Sequence, residues 1–166
     1  MKATDQAYVS GDWIVHLYYG VGQIVGVEKK YLEGHTVSYF KVKTKDSTIW
    51  IPVKHSDNVR VRPIANKEEI REALNILKRK PRQMSDDHTK RKSRIKNVKE
   101  DGTLKSIARI VRDLNARQVE TKLNDSEERA LNQFTDRLLS EWAACLGIKI
   151  EEARKRLYRI LEKVRA

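Results

Sequence analysis

Gly11-Asp12-Trp13-Ile14-Val15-His16-Leu17-Tyr18-Tyr19-Gly20-Val21-Gly22-Gln23-Ile24-Val25-Gly26-Val27-Glu28 is the stretch that decides the fold. Short runs of Ile, Val and aromatic residues are broken by Gly20 and Gly22, which bracket a tight bend where a residue without Cβ is useful. The same pattern continues to Pro63. Residues 13–15, 23–31, 37–43, 48–52 and 58–62 read as strands, with Glu33-Gly34 and Lys45-Asp46-Ser47 as turns. Alternation sends Phe40 and Val42 to one face and Tyr39, Lys41 and Lys43 to the other. Strands this short and closely spaced fit a small all-β barrel of SH3-like or Tudor-like type.

After Pro63 the period becomes helical. Asn66-Lys67-Glu68-Glu69 resembles a capping box that opens a helix to about Arg79, with Ile70, Ala73, Leu74 and Leu77 as its apolar face. Pro81 stops it. A second, weakly amphipathic helix is expected over 86–99, and Asp101-Gly102 breaks it. A third runs over 104–121, with Leu104, Ile107, Ala108, Val111 and Leu114 on one side. Asn124-Asp125-Ser126-Glu127 starts a fourth, carrying Leu131, Phe134, Leu138, Trp142 and Leu146, and Gly147 caps its end. A fifth spans 150–164. The expectation is two domains: a barrel over 1–64 and an all-α domain of about five helices over 65–166.

Charge is unevenly shared between them. Residues 1–64 carry 9 basic and 6 acidic side chains, net +3; residues 65–166 carry 26 and 17, net +9, within a total of +12. A basic helical half suggests a polyanion partner, of which phosphate backbones are the usual case; a solvated, charge-rich surface is the other reading. No apolar run approaches the roughly 18–20 residues of a membrane span, and Met1-Lys2-Ala3-Thr4-Asp5 lacks the apolar stretch of a signal peptide. Cys145 is the one cysteine, so no intrachain disulfide forms. It is expected to be a buried, inert thiol. A reducing cytoplasm fits all of this.

Enzyme signatures are missing. The sequence has no phosphate-binding G-x-x-x-x-G-K-[ST], no H-E-x-x-H and no G-x-S-x-G. His16, His35, His55 and His88 are scattered, and with one cysteine they make no structural zinc pattern. Asp86-Asp87 and Glu127-Glu128 stand near helix starts, where the helix dipole is reason enough for them. The expectation is a protein without enzymatic activity, cofactor or metal.

Two features could carry function. The first is the segment 78–99, with Lys78, Arg79, Lys80, Arg82, Lys90, Arg91, Lys92, Arg94, Lys96 and Lys99 against Asp86 and Asp87. Met84, Ile95 and Val98 are too few to bury a helix face deeply. Such a helix is held at one edge and offers the rest to phosphate or solvent. It shows no base-reading pattern, so any DNA contact is to backbone and shape. The second is Thr48-Ile49-Trp50-Ile51-Pro52. Two isoleucines inside and Trp50 outside is the cheaper arrangement for a small barrel. An outward Trp is an interface anchor, on an edge able to accept a partner strand, or else it is covered elsewhere in the chain.

The chain resembles the CarD/CdnL-type bacterial transcription regulators over nearly its whole length. In the first half the resemblance rests on Gly11-Asp12, Gly20-Val21-Gly22, Gly26, Gly34, Ile51-Pro52-Val53 and Val59-Arg60-Val61-Arg62. In the second it rests on Asp101-Gly102, Ile107-Ala108-Arg109-Ile110-Val111-Arg112-Asp113-Leu114, Ser126-Glu127, Leu138-Leu139 and Glu151-Glu152-Ala153. The resemblance implies a Tudor-like RNA-polymerase-interacting domain, similar to that of transcription-repair coupling factors, docked on the polymerase β subunit through an exposed strand. It implies a helical domain that touches promoter double-stranded DNA at the upstream edge of the transcription bubble and modulates open-complex stability. Polymerase binding then falls to Lys30, Ile49, Trp50, Ile51 and Pro52, and DNA binding to His88, Lys90, Arg91, Arg94 and Arg129. In relatives the position of Trp50 is often basic, so this contact would be more apolar.

Several positions depart from the family pattern. Better-known members carry a wedge tryptophan fourteen residues before the glycine matching Gly102; here that position is His88. Imidazole has less area to hold open an unstacked step. Arg129 belongs to a basic pair of the pattern, but its neighbour is Glu128. Lys149 replaces a frequent Ser/Thr cap, and the first turn reads His16-Leu17 and Tyr19-Gly20. The other reading of the chain is a stand-alone nucleic-acid-binding module whose SH3-like domain has no polymerase contact. Salt-sensitive affinity of residues 1–64 for nucleic acid separates the two. A monomer is expected, with a domain-swapped dimer through the 63–66 connection left open.

Overall fold

The structure is a computed structural model and describes residues 8–55 and 60–165. The N-terminal signal-peptide reading and the first residues of the 58–62 strand lie outside the described residues. The chain divides into two compact units, 1–64 and 65–166.

Unit 1 is a five-stranded antiparallel sheet, followed in unit 2 by five helices, as the sequence leads one to expect. The strands are β1 (Trp13–His16), β2 (Gly20–Leu32), β3 (His35–Thr44), β4 (Thr48–Pro52) and β5 (Val61–Pro63), in the order β4-β3-β2-β1-β5. A 3-10 turn, Val53–His55, follows β4. All five strands share one core. Ile14, Ile24, Phe40, Val42 and Ile51 form it, with Tyr8, Ile49, Val53 and Val61 packed against it. The alternation read in the sequence therefore holds for Phe40 and Val42.

The long hairpin of β2 and β3 is closed by the two-residue turn Glu33-Gly34, between the paired Leu32 and His35. Both turn residues have positive φ, 49° and 81°. That is the twist a two-residue hairpin needs, and it places glycine where a side chain would strain. A bulge between Ile24 and Gly26 leaves Val25 as the extra residue. β1 pairs with β2 only over Gly20–Gln23, and β4 with β3 only over Tyr39–Lys43. The hairpin thus runs on beyond both neighbours.

Unit 2 contains α1 (Lys67–Leu77), α2 (His88–Asp101), α3 (Leu104–Glu120), α4 (Asp125–Leu146) and α5 (Ile150–Arg165). The capping box at Asn66 is present: its side chain accepts from Glu69 N, and its own N–H donates to Glu69 Oε2. A second box joins Asn124 and Glu127. α3 is the central helix. It packs against the other four, and Ile107, Ala108, Ile110, Val111 and Leu114 on it are fully buried. Trp142, Leu138 and Leu139 of α4 and Leu157 of α5 complete the core. On α1 the buried face is Ile70, Ala73, Ile76 and Leu77; Leu74 is only half-buried, so the face is turned slightly from the one expected. Cys145 is half-buried rather than buried, and desolvation raises its thiol pKa.

Gly22 shows how tightly β2 and β3 approach. A Cβ there would stand 2.6 Å from Val42 Cγ1 and 3.2 Å from both Lys43 O and Thr44 Cγ2. Val42 is fully buried and has nowhere to move. Gly22→Ala is expected to destabilise the β unit by about 1–3 kcal/mol through overpacking, read as a lower urea midpoint for its transition. The helical transition should not move.

Candidate polymerase and nucleic-acid interfaces

β4 is an edge strand, and Trp50 sits at its centre. Ile51 is buried and Ile49 half-buried against the core, while Trp50 is 40% exposed. Pleating alone produces this. Trp50 pairs across the strands with Lys41, whose side chain therefore shares its face. β2 adds Glu28 and Lys30 to the same face.

These groups bond to one another. The Trp50 indole N–H donates to Glu28 Oε2 at 2.8 Å. Lys41 Nζ lies 3.2 Å from Glu28 Oε1. Lys30 Nζ stands 3.9 Å from the Trp50 ring centre and 5.7 Å from that of Tyr39, in cation–π geometry. The indole hydrogen bond and the Lys41 bond hold the Glu28 carboxyl below its ordinary pKa. The outcome is a platform with a fixed aromatic plane, one face under an ammonium group, beside a strand edge with no partner strand among the described residues. Lys30 and Trp50 were read from the sequence; Glu28, Tyr39 and Lys41 were not assigned to the site. Alternation puts Glu28 in phase with Lys30, but only the strand register brings Tyr39 and Lys41 to the same face. Ile51 points into the core, as the alternation predicts, so only its backbone edge can meet a partner.

The basic segment 78–99 becomes α2 and the stretch leading to it. Asp87 caps α2, its Oδ1 accepting from Thr89 N at 2.8 Å. His88 is the first helical residue and is exposed. Lys90, Lys92, Lys96 and Lys99 are exposed as well. Only Arg91, Ile95 and Val98 of this helix are buried, so apolar packing alone does not hold it.

Two guanidinium–carboxylate contacts do. Arg91 Nε lies 2.5 Å from Glu127 Oε1 on α4, with both side chains buried. Arg91 Nη1 donates to Ser85 O at 3.0 Å and to Asp86 O at 2.8 Å. Arg94 Nη2 lies 2.5 Å from Asp113 Oδ2 on α3. Asp113 Oδ1 also accepts from Arg112 Nε at 2.7 Å and from Arg82 N at 3.0 Å. Burial pushes the Glu127 and Asp113 pKa values up, but the arginine hydrogen bonds outweigh it, and both carboxyls end below their ordinary range.

Arg91 is therefore a correction to the DNA-binding set. Its guanidinium is committed inward, where it fixes the 85–87 loop from which His88 projects. Arg94 is about one-third exposed and engaged with Asp113. His88 and Lys90 are exposed on α2, with no hydrogen bond or ion pair from their side chains among the described residues. Arg129 is exposed on α4, with no hydrogen bond or ion pair among the described residues. The helix dipole is not the whole reason for Glu127, which also holds Arg91. Its buried partner, 36 residues away, has no local sequence signal.

Among the described residues no three His, Cys, Asp or Glu side chains are grouped to hold a metal ion. No helix there is long and apolar enough to cross a membrane. Two family models match the chain. The one described as "CarD-like/TRCF RID domain" covers residues 8–65, and the one described as "CarD, C-terminal domain" covers residues 72–158.

Neighbouring substitutions on α2 should separate structure from contact. Arg91→Ala leaves Glu127 buried without its partner and should destabilise the helical unit by about 3–5 kcal/mol. Lys90→Ala should leave the unfolding midpoint unchanged and reduce the salt slope of duplex DNA binding by about one unit. The buried pairs also set an acid limit. Carboxyls with depressed folded pKa values stabilise fully above the unfolded value, about 4.3 for Glu, and that stability is lost as pH falls through the folded values. Glu127→Gln should flatten the loss of stability below about pH 4, followed by helical circular dichroism during denaturant unfolding.

Proposed function

The chain belongs to the CarD family of transcription-associated proteins that interact with RNA polymerase, and on that basis we propose that it binds the polymerase β subunit and modulates open-complex stability. The observation that carries this reading is the Trp50 platform: a half-exposed indole at the centre of an edge strand whose outer side has no partner strand among the described residues, fixed by Glu28 and Lys30. An aromatic held in one orientation loses little entropy on docking, and a free edge offers main-chain hydrogen bonds to a partner strand. Ile49, Ile51 and Pro52 contribute through that edge.

The helical unit then lays α2 on promoter double-stranded DNA at the upstream edge of the bubble. Lys90 takes a phosphate. Arg129 and the outer edge of Arg94 add charge. His88 stands at the helix N-terminus, where a family wedge would enter the minor groove. The contacts are independent of sequence. To change the open state at all, the domain must prefer open over closed complexes; a grip on phosphates alone binds both alike. About 1.4 kcal/mol of preference moves the equilibrium tenfold. The protein acts in this reading as a monomer, in the cytoplasm, without cofactor, metal or catalysis of its own.

The decisive test is binding to the isolated β lobe of the cognate polymerase. Wild type should bind in the micromolar range. Trp50→Glu should weaken binding by more than about tenfold, as loss of a central aromatic anchor does, with the fold intact by circular dichroism. Absence of binding by folded wild type would leave a stand-alone nucleic-acid-binding module as the better account. His88→Trp should lengthen the open-complex lifetime several-fold in a promoter assay, by adding stacking area at the bubble edge. An unchanged lifetime removes His88 from the wedge position.

A further inference from the structure

We infer that a groove on the helical unit, between the C-terminal end of α1 and the last turns of α5, is a docking surface for an acidic amphipathic helix of a partner protein. The groove measures about 490 Å³ and is lined by Lys78, Lys80, Arg159, Ile160, Lys163 and Val164. It uses none of the α2 side chains. Lys78 caps α1, and Lys80 follows it.

The α5 residues fall in two rows. Arg159 and Lys163 are one helical turn apart, and so are Ile160 and Val164. Residues at that spacing lie about 5–6 Å apart along a helix face. A basic row therefore runs beside an apolar row, and Lys78 and Lys80 bring a second pair of cations. Among the described residues no carboxylate lines the groove.

Elsewhere on α5, two of the four cations outside the groove sit in ion pairs. Arg154 pairs with Glu151, Arg156 with Glu152, and Arg165 bonds Asn115. The four groove cations have neither ion pair nor side-chain hydrogen bond among the described residues. Unneutralised like charges in one concavity repel each other and raise the local concentration of an acidic ligand.

The floor decides between acidic ligands. Ile160 and Val164 are only half-buried. A phosphate backbone satisfies the cations and leaves aliphatic surface uncovered, since nucleic-acid contacts are polar and wet. A helix with an apolar stripe flanked by Asp or Glu meets both rows at once.

The test is a titration of a labelled synthetic helical peptide with the full chain. The peptide carries leucines repeated at i and i+4 and glutamates on both flanks. Its control has serine in place of every leucine and the same charge. The leucine peptide should bind, and the serine peptide roughly tenfold more weakly. Lys78→Glu with Arg159→Glu should weaken the leucine peptide by about tenfold or more, through like-charge repulsion. The exposed Lys122→Glu outside the groove should not. Both variants should unfold at the wild-type midpoint, since these side chains are exposed. Equal binding of the two peptides, no binding, or binding indifferent to the double variant would overturn the proposal. So would a double variant that loses duplex DNA while keeping the peptide, which would make the groove a nucleic-acid face.

Discussion

Two arginine–carboxylate contacts beneath α2 set what the helical unit can present. A helix this basic has no apolar stripe from which to hang, and Ile95 and Val98 supply only a fragment of one. Arg91 and Arg94 solve this by turning inward to Glu127 and Asp113. The cost is that two carboxylates must stay charged inside the protein. Their hydrogen bonds offset the burial only while the arginines remain in place. Leucines could have anchored the helix equally well. They could not also have bound the carbonyls of Ser85 and Asp86, which shape the loop in front of His88. The buried charge thus orients an exposed residue.

The β unit meets the opposite requirement. Its sheet has enough apolar residues to fill one core, and pleating sends everything else outward. On the outer face the side chains are not left to solvent individually. Glu28 joins the Trp50 indole to Lys41, and Lys30 lies over the ring. The aromatic surface is rigid before any partner arrives, which lowers the entropy lost on binding.

Features written locally in the sequence were legible. The capping box at Asn66, the start of α4 at Asn124, the ends of β4, the outward Trp50 and the Glu33-Gly34 turn follow from spacing over a few residues. The resemblance to one family spans both units. What failed was long-range. Arg91 looks like any cation in a basic run until a carboxylate 36 residues later removes it from the surface. Asp113 sits beside Arg112 and looks satisfied by it, yet it also receives Arg94 and the backbone of Arg82. Cys145 was placed by helical spacing alone, and periodicity does not say how far a neighbouring helix covers a face. Lys30, Trp50 and His88 enter through the family resemblance, and only the outward Trp50 also follows from the alternation of its own strand. Glu28 and Tyr39 needed the strand register.

The hairpin that outruns its neighbours gives one small sheet two regimes of cooperativity. Near Gly22, β2 has β1 on one side and β3 on the other, so no single strand can part without its companions. From Lys29 to Leu32 it has only β3, whose matching residues Ser38 to His35 lie beyond the reach of β4, and a two-stranded ribbon is marginal in water. Local openings that release the tip need not disturb the rows at its base. Deuterium should enter the backbone at the tip long before it reaches Gly22, so that the sheet unzips from the end where Tyr31 and Leu32 stand exposed.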